Sequence, residues 1–155
     1  DLSRPITFIA RSAQGERLER HARRLADGGG MAADWAILRL RPPVPRERLA
    51  ALAPHPTLAH PGRPVTRAGY SRDPGLGNGG RTLTYDPDCA ITGSSPGLGE
   101  TNCTAFKGAS GGAVIQLSSS GNPRLCGIIS QGNGSGTSTY VPLEEFRKRL
   151  FQYLQ

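Results

Sequence analysis

The sequence predicts an all-β fold closed by a single C-terminal helix, and three observations carry that prediction. Glycine (21) and proline (13) make up more than a fifth of the 155 residues, so turns come often and long helices have little room. Between the turns lie short runs rich in β-branched and other apolar residues, the mark of strands. One segment, at the C-terminus, carries an apolar stripe at helical spacing. Apolar residues are 36% of the chain, enough for a core but not a generous one. No apolar run approaches the ~20 residues a membrane-spanning helix needs.

Taken in order, "ITFIA" (6–10) reads as a strand from its β-branched and aromatic content. "ERLERHARRLADGGG" is locally a helix: Arg17, Arg20, His21 and Arg24 share one face, with Leu18, Ala22 and Leu25 opposite. "WAILRL" (35–40) is a strand with Trp35 and Ile37 buried, stopped by "RPPVP", which cannot continue a central strand. The Pro-, Ala- and His-rich stretch to Pro64 reads as a linker between two bodies. Beyond it, "PVTRAGYS" and "RTLTYDPDCAI" are strands separated by a glycine-rich loop. "GGAVIQL" and "RLCGIIS" form a hairpin around "SSSGNP", and "STYVPL" is the last strand. In "PLEEFRKRLFQYLQ", Leu143, Phe146, Leu150 and Leu154 fall on one stripe. Glu144 and Glu145 precede the basic residues, which complements the helix dipole, and the segment is expected to pack rather than react.

The net charge of +7 is carried by 17 arginines and only two lysines, Lys107 and Lys148. The arginines are spread along the chain and aromatics are only 6%, so stacking platforms for bases are scarce and nucleic acid is not the expected partner. Three cysteines are an odd number, which in an exported protein means one bridge and one thiol left free or paired with another chain. Cys89 and Cys103 enclose the Gly/Ser-rich loop "AITGSSPGLGETN", well suited to stapling, while Cys126 sits in an apolar strand. A secreted or periplasmic location follows as the expectation. The chain starts at Asp1 and its one methionine is Met31, so processing upstream of Asp1 is also expected.

The candidate chemistry is in "FKGASGGAVI" (106–115). Glycines on both sides of Ser110 permit a tight turn that lifts the hydroxyl and turns backbone N–H groups outward. The N–H groups of Gly108 and Ser110 are then placed to bind an oxyanion. Asp34, at the mouth of the strand "WAILRL", is an acid whose burial is costly unless paired, and an imidazole is the useful partner for a serine nucleophile. Ser130 and Gly132 lie on the strand "GIISQG", shortly after the serine's hairpin.

These segments together resemble the trypsin/chymotrypsin-like serine proteases, in a bacterial-type member. "DWAILRL" is similar to that family's segment with the triad aspartate. "RAGYS" resembles its glycine–aromatic–glycine strand opening the second barrel, "GASGGAV" its nucleophile loop and "CGIISQG" its substrate-binding strand. Order and rough spacing agree from about residue 6 to the end. The resemblance implies a double six-stranded β-barrel with the first barrel incomplete, plus the C-terminal helix. Residues 1–52 would be the remainder of the N-terminal barrel, 53–64 the linker, 65–142 the C-terminal barrel and 143–155 the helix. It turns "ERLERHARRL" into a strand, against the local reading.

The roles it implies are Asp34 as triad acid, Ser110 as nucleophile, and Gly108 and Ser110 as oxyanion donors. Ser130, Gln131 and Gly132 would pair with the substrate backbone, with Lys107 beside them and Thr104 at the base of the primary specificity pocket. No cofactor or metal is implied. Three departures qualify the match. Ala109 stands where family members carry an acid that pairs with a freed N-terminus, Thr104 is uncharged, and the histidine base is missing. Only His21 precedes Asp34, in an arginine-rich run, and His55 and His60 follow it in the linker, where each reads as a surface histidine. Without imidazole a serine hydroxyl is a poor nucleophile. The expectation is therefore a serine endopeptidase whose base comes from an N-terminal fragment of the same precursor, acting on protein or peptide substrate. The rival readings are a catalytically inactive protease-like binding domain and, more weakly, an Arg-rich binder of anionic polymers.

Overall fold

The computed structural model describes residues 4–154; Asp1, and with it the inference about upstream processing, lies outside the described residues. The strands are β1 (Ile6–Arg11), β2 (Arg17–Asp27), β3 (Ala36–Arg41), β4 (Ala53–Pro54), β5 (Val65–Gly69), β6 (Thr84–Cys89), β7 (Ile91–Ser95), β8 (Leu98–Thr101), β9 (Ala113–Leu117), β10 (Pro123–Gly132) and β11 (Ser138–Pro142). The helix α1 spans Glu144–Tyr153. All-β with one C-terminal helix is thus the observed class.

β1, β2 and β3 form an antiparallel three-stranded sheet in that order. The local helix reading of residues 16–27 is corrected here. β2 is hydrogen-bonded on both sides, to β1 (Phe8 opposite Arg20) and to β3 (Arg23 opposite Arg39). The would-be helical face is split, because strand alternation puts His21 opposite Thr7 and Arg41 and Arg20 on the other side. Two ladders of backbone bonds outweigh a weak helical pattern whose arginines gain nothing from being together.

The second sheet runs β6-β5-β9-β10-β11-β8-β7. Its two ends, β6 and β7, are consecutive strands joined through Ala90 alone, so the sheet must curl until its edges meet. Counted as one strand bent at Ala90, they complete a six-stranded closed barrel, which leaves no free edge. Val65, Cys103, Ala105, Val114, Cys126 and Ile129 fill its centre. The stretch expected to be a plain loop between the cysteines is instead the β7–β8 hairpin, turning at Pro96 and Gly97. Cys89 and Cys103 are joined at its base, with Cα atoms 5.1 Å apart. Cys126 is free and buried, which settles the odd thiol as a core residue.

Residues 53–64 are stitched to the barrel along their length. β4 pairs in parallel with Arg124 and Leu125, and the His55 N–H donates to the Leu125 carbonyl (2.9 Å). The buried Gln116 amide donates to the carbonyls of His60 (3.0 Å) and Arg63 (3.1 Å). His55 is buried, not a surface histidine; its Nδ1 lies 2.9 Å from the Thr57 carbonyl, under α1. His60 is exposed, as expected.

α1 packs through Leu143 and Phe146, with Leu150 partly covered, and the Trp35 ring stacks on Phe146 at 5.8 Å. Leu154, assigned to the same stripe, follows the last helical residue and is exposed. Arg147 donates to the His55 carbonyl (2.7 Å) and the Tyr153 hydroxyl to the Leu25 carbonyl (3.2 Å), so the helix joins both sheets. No helix among the described residues is long and apolar enough to cross a membrane.

Candidate active site

The loop carrying Ser110 joins the disulfide corner to β9 and is held by β10. The Gly111 N–H donates to the Ile129 carbonyl (2.8 Å), and the Ile129 N–H returns a bond to Gly112 (2.8 Å). Ala109 is buried beneath the loop, which leaves Ser110 exposed above it. An acid at 109 would be desolvated there, so alanine suits a loop held by other means. Gly108 has φ +97, and a Cβ on it would lie 2.7 Å from the Tyr70 carbonyl oxygen, so the turn needs glycine for both conformation and space. Within the loop, Ala109, Gly111 and Gly112 donate to backbone carbonyls. The N–H groups of Gly108 and Ser110 have no such partner among the described residues, which keeps both available to an anion.

A hydrogen-bonded chain links the two predicted catalytic residues. The Ser110 hydroxyl donates to the Ser130 carbonyl (2.8 Å), and the Ser130 hydroxyl donates to Asp34 Oδ2 (2.8 Å). Asp34 and Ser110 come from different sheets, yet they line one open cleft of about 690 Å³ with Arg24, Asp27 and Gly30. Among the described residues no histidine lines it. His21 projects from the exposed side of β2, and His55 and His60 lie along the 53–64 segment.

The remaining candidates fall around this centre. Ser130 is buried, while Gln131 and Gly132 are exposed at the end of β10, beyond a bulge in its pairing with β11. Lys107 is exposed and its carbonyl accepts from the Arg72 N–H (3.0 Å). Thr104 is held through its backbone: its N–H donates to the Asp86 carboxylate and its carbonyl accepts from Arg67 Nε (2.9 Å). Asp86 also lies beside Cys89 and Cys103, whose sulfurs are joined to each other rather than free as thiolate ligands.

Residues 67–73 form a buttress that sequence reading missed. Arg67 is almost fully buried and pairs with Asp73 (2.9 Å) and the Thr84 hydroxyl (2.8 Å). Ser71 donates to Asp73 and accepts from the Phe106 N–H (3.0 Å). Burial by itself would raise the Asp73 carboxyl, but hydrogen bonds from Ser71, Arg67 and Thr84 and the Arg67 charge outweigh it and hold its pKa below the ordinary value. The signal was present: in "VTRAG" strand alternation puts Arg67 on the same inward face as Val65, where an arginine needs an acid nearby.

The fold has a known counterpart. The crystal structure of the serine endoprotease from Yersinia pestis superposes with a TM-score of 0.61 over 94% of this chain, at 18% sequence identity. The fold is that of the chymotrypsin-like proteases. The chain spans about half of that protein's length, 48%. No family model and no curated protein matches the sequence.

Proposed function

We propose that this chain is the nucleophile-bearing part of a serine endopeptidase that completes its triad with a histidine from an upstream segment or separate chain of the same precursor. The observation that carries this reading is the Ser110–Ser130–Asp34 chain of hydrogen bonds beside an open cleft, with the N–H groups of Gly108 and Ser110 free of backbone partners among the described residues. The three-stranded sheet, whose inner side is only partly covered, supports further strands as the source of that histidine.

An imidazole in the cleft between Asp34 and Ser110 would take the Ser110 proton as Oγ attacks the peptide carbonyl. The oxyanion formed would be met by the N–H groups of Gly108 and Ser110. Asp34 would hold the imidazole's other N–H and stabilise the cation. The imidazolium would then protonate the departing amine, leaving an acyl group on Ser110 that water hydrolyses by the same route in reverse. Ser130, Gln131 and Gly132 would pair with the substrate backbone, as an extended peptide adds to a strand. In the resting state the Ser130 carbonyl accepts from Ser110, and a substrate N–H would replace that bond. The disulfide fits a secreted or periplasmic setting.

The test is a fluorophosphonate probe applied to this chain assembled with the encoded upstream segment, read by intact mass. Labelling on Ser110 is expected, with none in Ser110→Ala and a rate lowered on the order of 10⁴-fold in Asp34→Asn. An assembled protein that takes no label would instead favour a protease-like binding domain.

A further inference from the structure

On the endopeptidase reading, the substrate side chain on the acyl side of the scissile bond would lie between two backbone segments, residues 104–106 and 130–134, on either side of Ser110. These two walls of the slot touch. The Gly134 N–H donates to the Ala105 carbonyl (3.1 Å), bonding one wall to the other. A Cβ built on Gly132 would lie 2.3 Å from the same carbonyl oxygen and 2.5 Å from the Ala105 Cβ, so the walls meet there with no depth between them for a longer side chain to extend into. One on Gly134 would lie 2.9 Å from the Phe106 ring. Nearby, Thr101 and Ser138 are fully buried and hydrogen-bonded through their hydroxyls (2.9 Å), and Thr101 also accepts from the Cys103 N–H (3.2 Å). This leaves the interior next to the slot packed.

Neither wall is free to retreat. Thr104 is gripped at its N–H by Asp86 and at its carbonyl by the buried Arg67, and Phe106 is gripped at its N–H by Ser71. Arg67 and Ser71 are themselves locked to Asp73. On the other side, Gln131 and Gly132 pair with Thr139 and Ser138 of β11, and the exposed turn beyond them is closed on itself by the Asn133 carboxamide oxygen, which accepts from the N–H groups of Ser135 (2.9 Å) and Thr137 (3.1 Å). Drawing the first wall back would leave the buried Arg67 and Ser71 without these partners.

We infer that the primary specificity pocket is closed by construction, and that the chain acts on peptides with glycine or alanine on the acyl side of the scissile bond. The inference rests on the endopeptidase reading and adds its substrate class. Residues 105, 106, 132 and 134 set the selectivity, and the Arg67–Asp73–Ser71 buttress positions one wall.

Two measurements test it. The assembled enzyme is given peptides identical except for Ala, Leu, Phe or Arg at that position. Alanine is expected to be preferred in kcat/KM by about tenfold or more over each of the others. Equal or faster cleavage of any large residue overturns the inference. Ser71→Ala, which frees the Phe106 N–H, is expected to raise the Leu-to-Ala ratio, and an unchanged ratio removes the buttress from the account. Independently of catalysis, the chain is titrated with indole and benzamidine, mimics of large side chains, while the amide signals of Phe106, Gly132 and Gly134 are followed by NMR. No saturable shift is expected at millimolar ligand, and a saturable one overturns closure. Failure of the endopeptidase reading looks different: no peptide is cleaved and no probe adduct forms, while the titration still decides whether the slot is closed.

Discussion

The two sheets are built from the same kind of strand and end up with different interiors. In the barrel of β5–β11, side chains from every strand converge, and Cys103, Ala105 and Val114 are fully buried. In the β1–β3 sheet only Leu18 comes close to that state among the described apolar residues, Ile37 keeps 9% exposure, and Ile9 and Leu38 stay exposed. The difference is closure. A curled sheet whose ends meet covers its own inner face, whereas three strands leave theirs half open. Asp34 leaves the open sheet and Ser110 stands on the closed one, so the candidate site pairs a rigid partner with one that has little core of its own.

Breaking the buried ion pair attacks the closed barrel most directly. Arg67→Ala empties a fully buried site and leaves the partly buried Asp73 without its cation, and is expected to cost about 3–5 kcal/mol in urea denaturation. A smaller loss would mean that the segment leading into the Ser110 turn is held by other contacts. The next contrast is between cores. Ile129→Ala, at a fully buried barrel position, is expected to lose about 2–5 kcal/mol. Ile9→Ala, on the half-exposed face of β1, should change stability by about 0.5 kcal/mol or less. Similar values for the two would erase the distinction drawn between the sheets.

Acid sharpens the same contrast more gently. The folded pKa of Asp73 lies below its unfolded value, near 3.8, so its contribution is complete above that value and is lost as pH falls through the folded pKa. Stability followed by denaturation at stepped pH should therefore fall in that window, and less steeply in Asp73→Asn. The smallest effect is chemical. Burial pushes the Cys126 thiol up to about 11, with the Glu144 charge adding to the rise. Iodoacetamide at mildly alkaline pH should leave Cys126 unmodified in the folded protein, while a cysteine introduced as Ile9→Cys reacts readily, as read by mass spectrometry.

Much of this was legible from the residues. Strand-forming runs between Gly and Pro turns, the glycine-flanked serine, the acid before "WAILRL" and the helical stripe of Leu143, Phe146 and Leu150 are local patterns, and local patterns survive folding when the tertiary partners agree with them. The strand identity of residues 17–27 was decided by neighbours on both sides, since their spacing alone satisfied a helix better. The β7–β8 hairpin arose because the barrel needed two more edges paired. His55 is buried because α1 and β10 close over the 53–64 segment, which composition alone marks as exposed.

By itself, the sequence determined that the chain is all-β, where its turns fall, and that Ser110 stands in a glycine-flanked turn with Asp34 just before a strand. Only the tertiary structure decided that Ser130 bridges Asp34 and Ser110, that Arg67 and Asp73 form the buttress behind the 104–106 segment, and that Gly132 closes against Ala105. The reason is range. Backbone propensity and turn chemistry act over a few residues, while burial, pairing of charge and the width of a slot depend on residues brought together from distant parts of the chain.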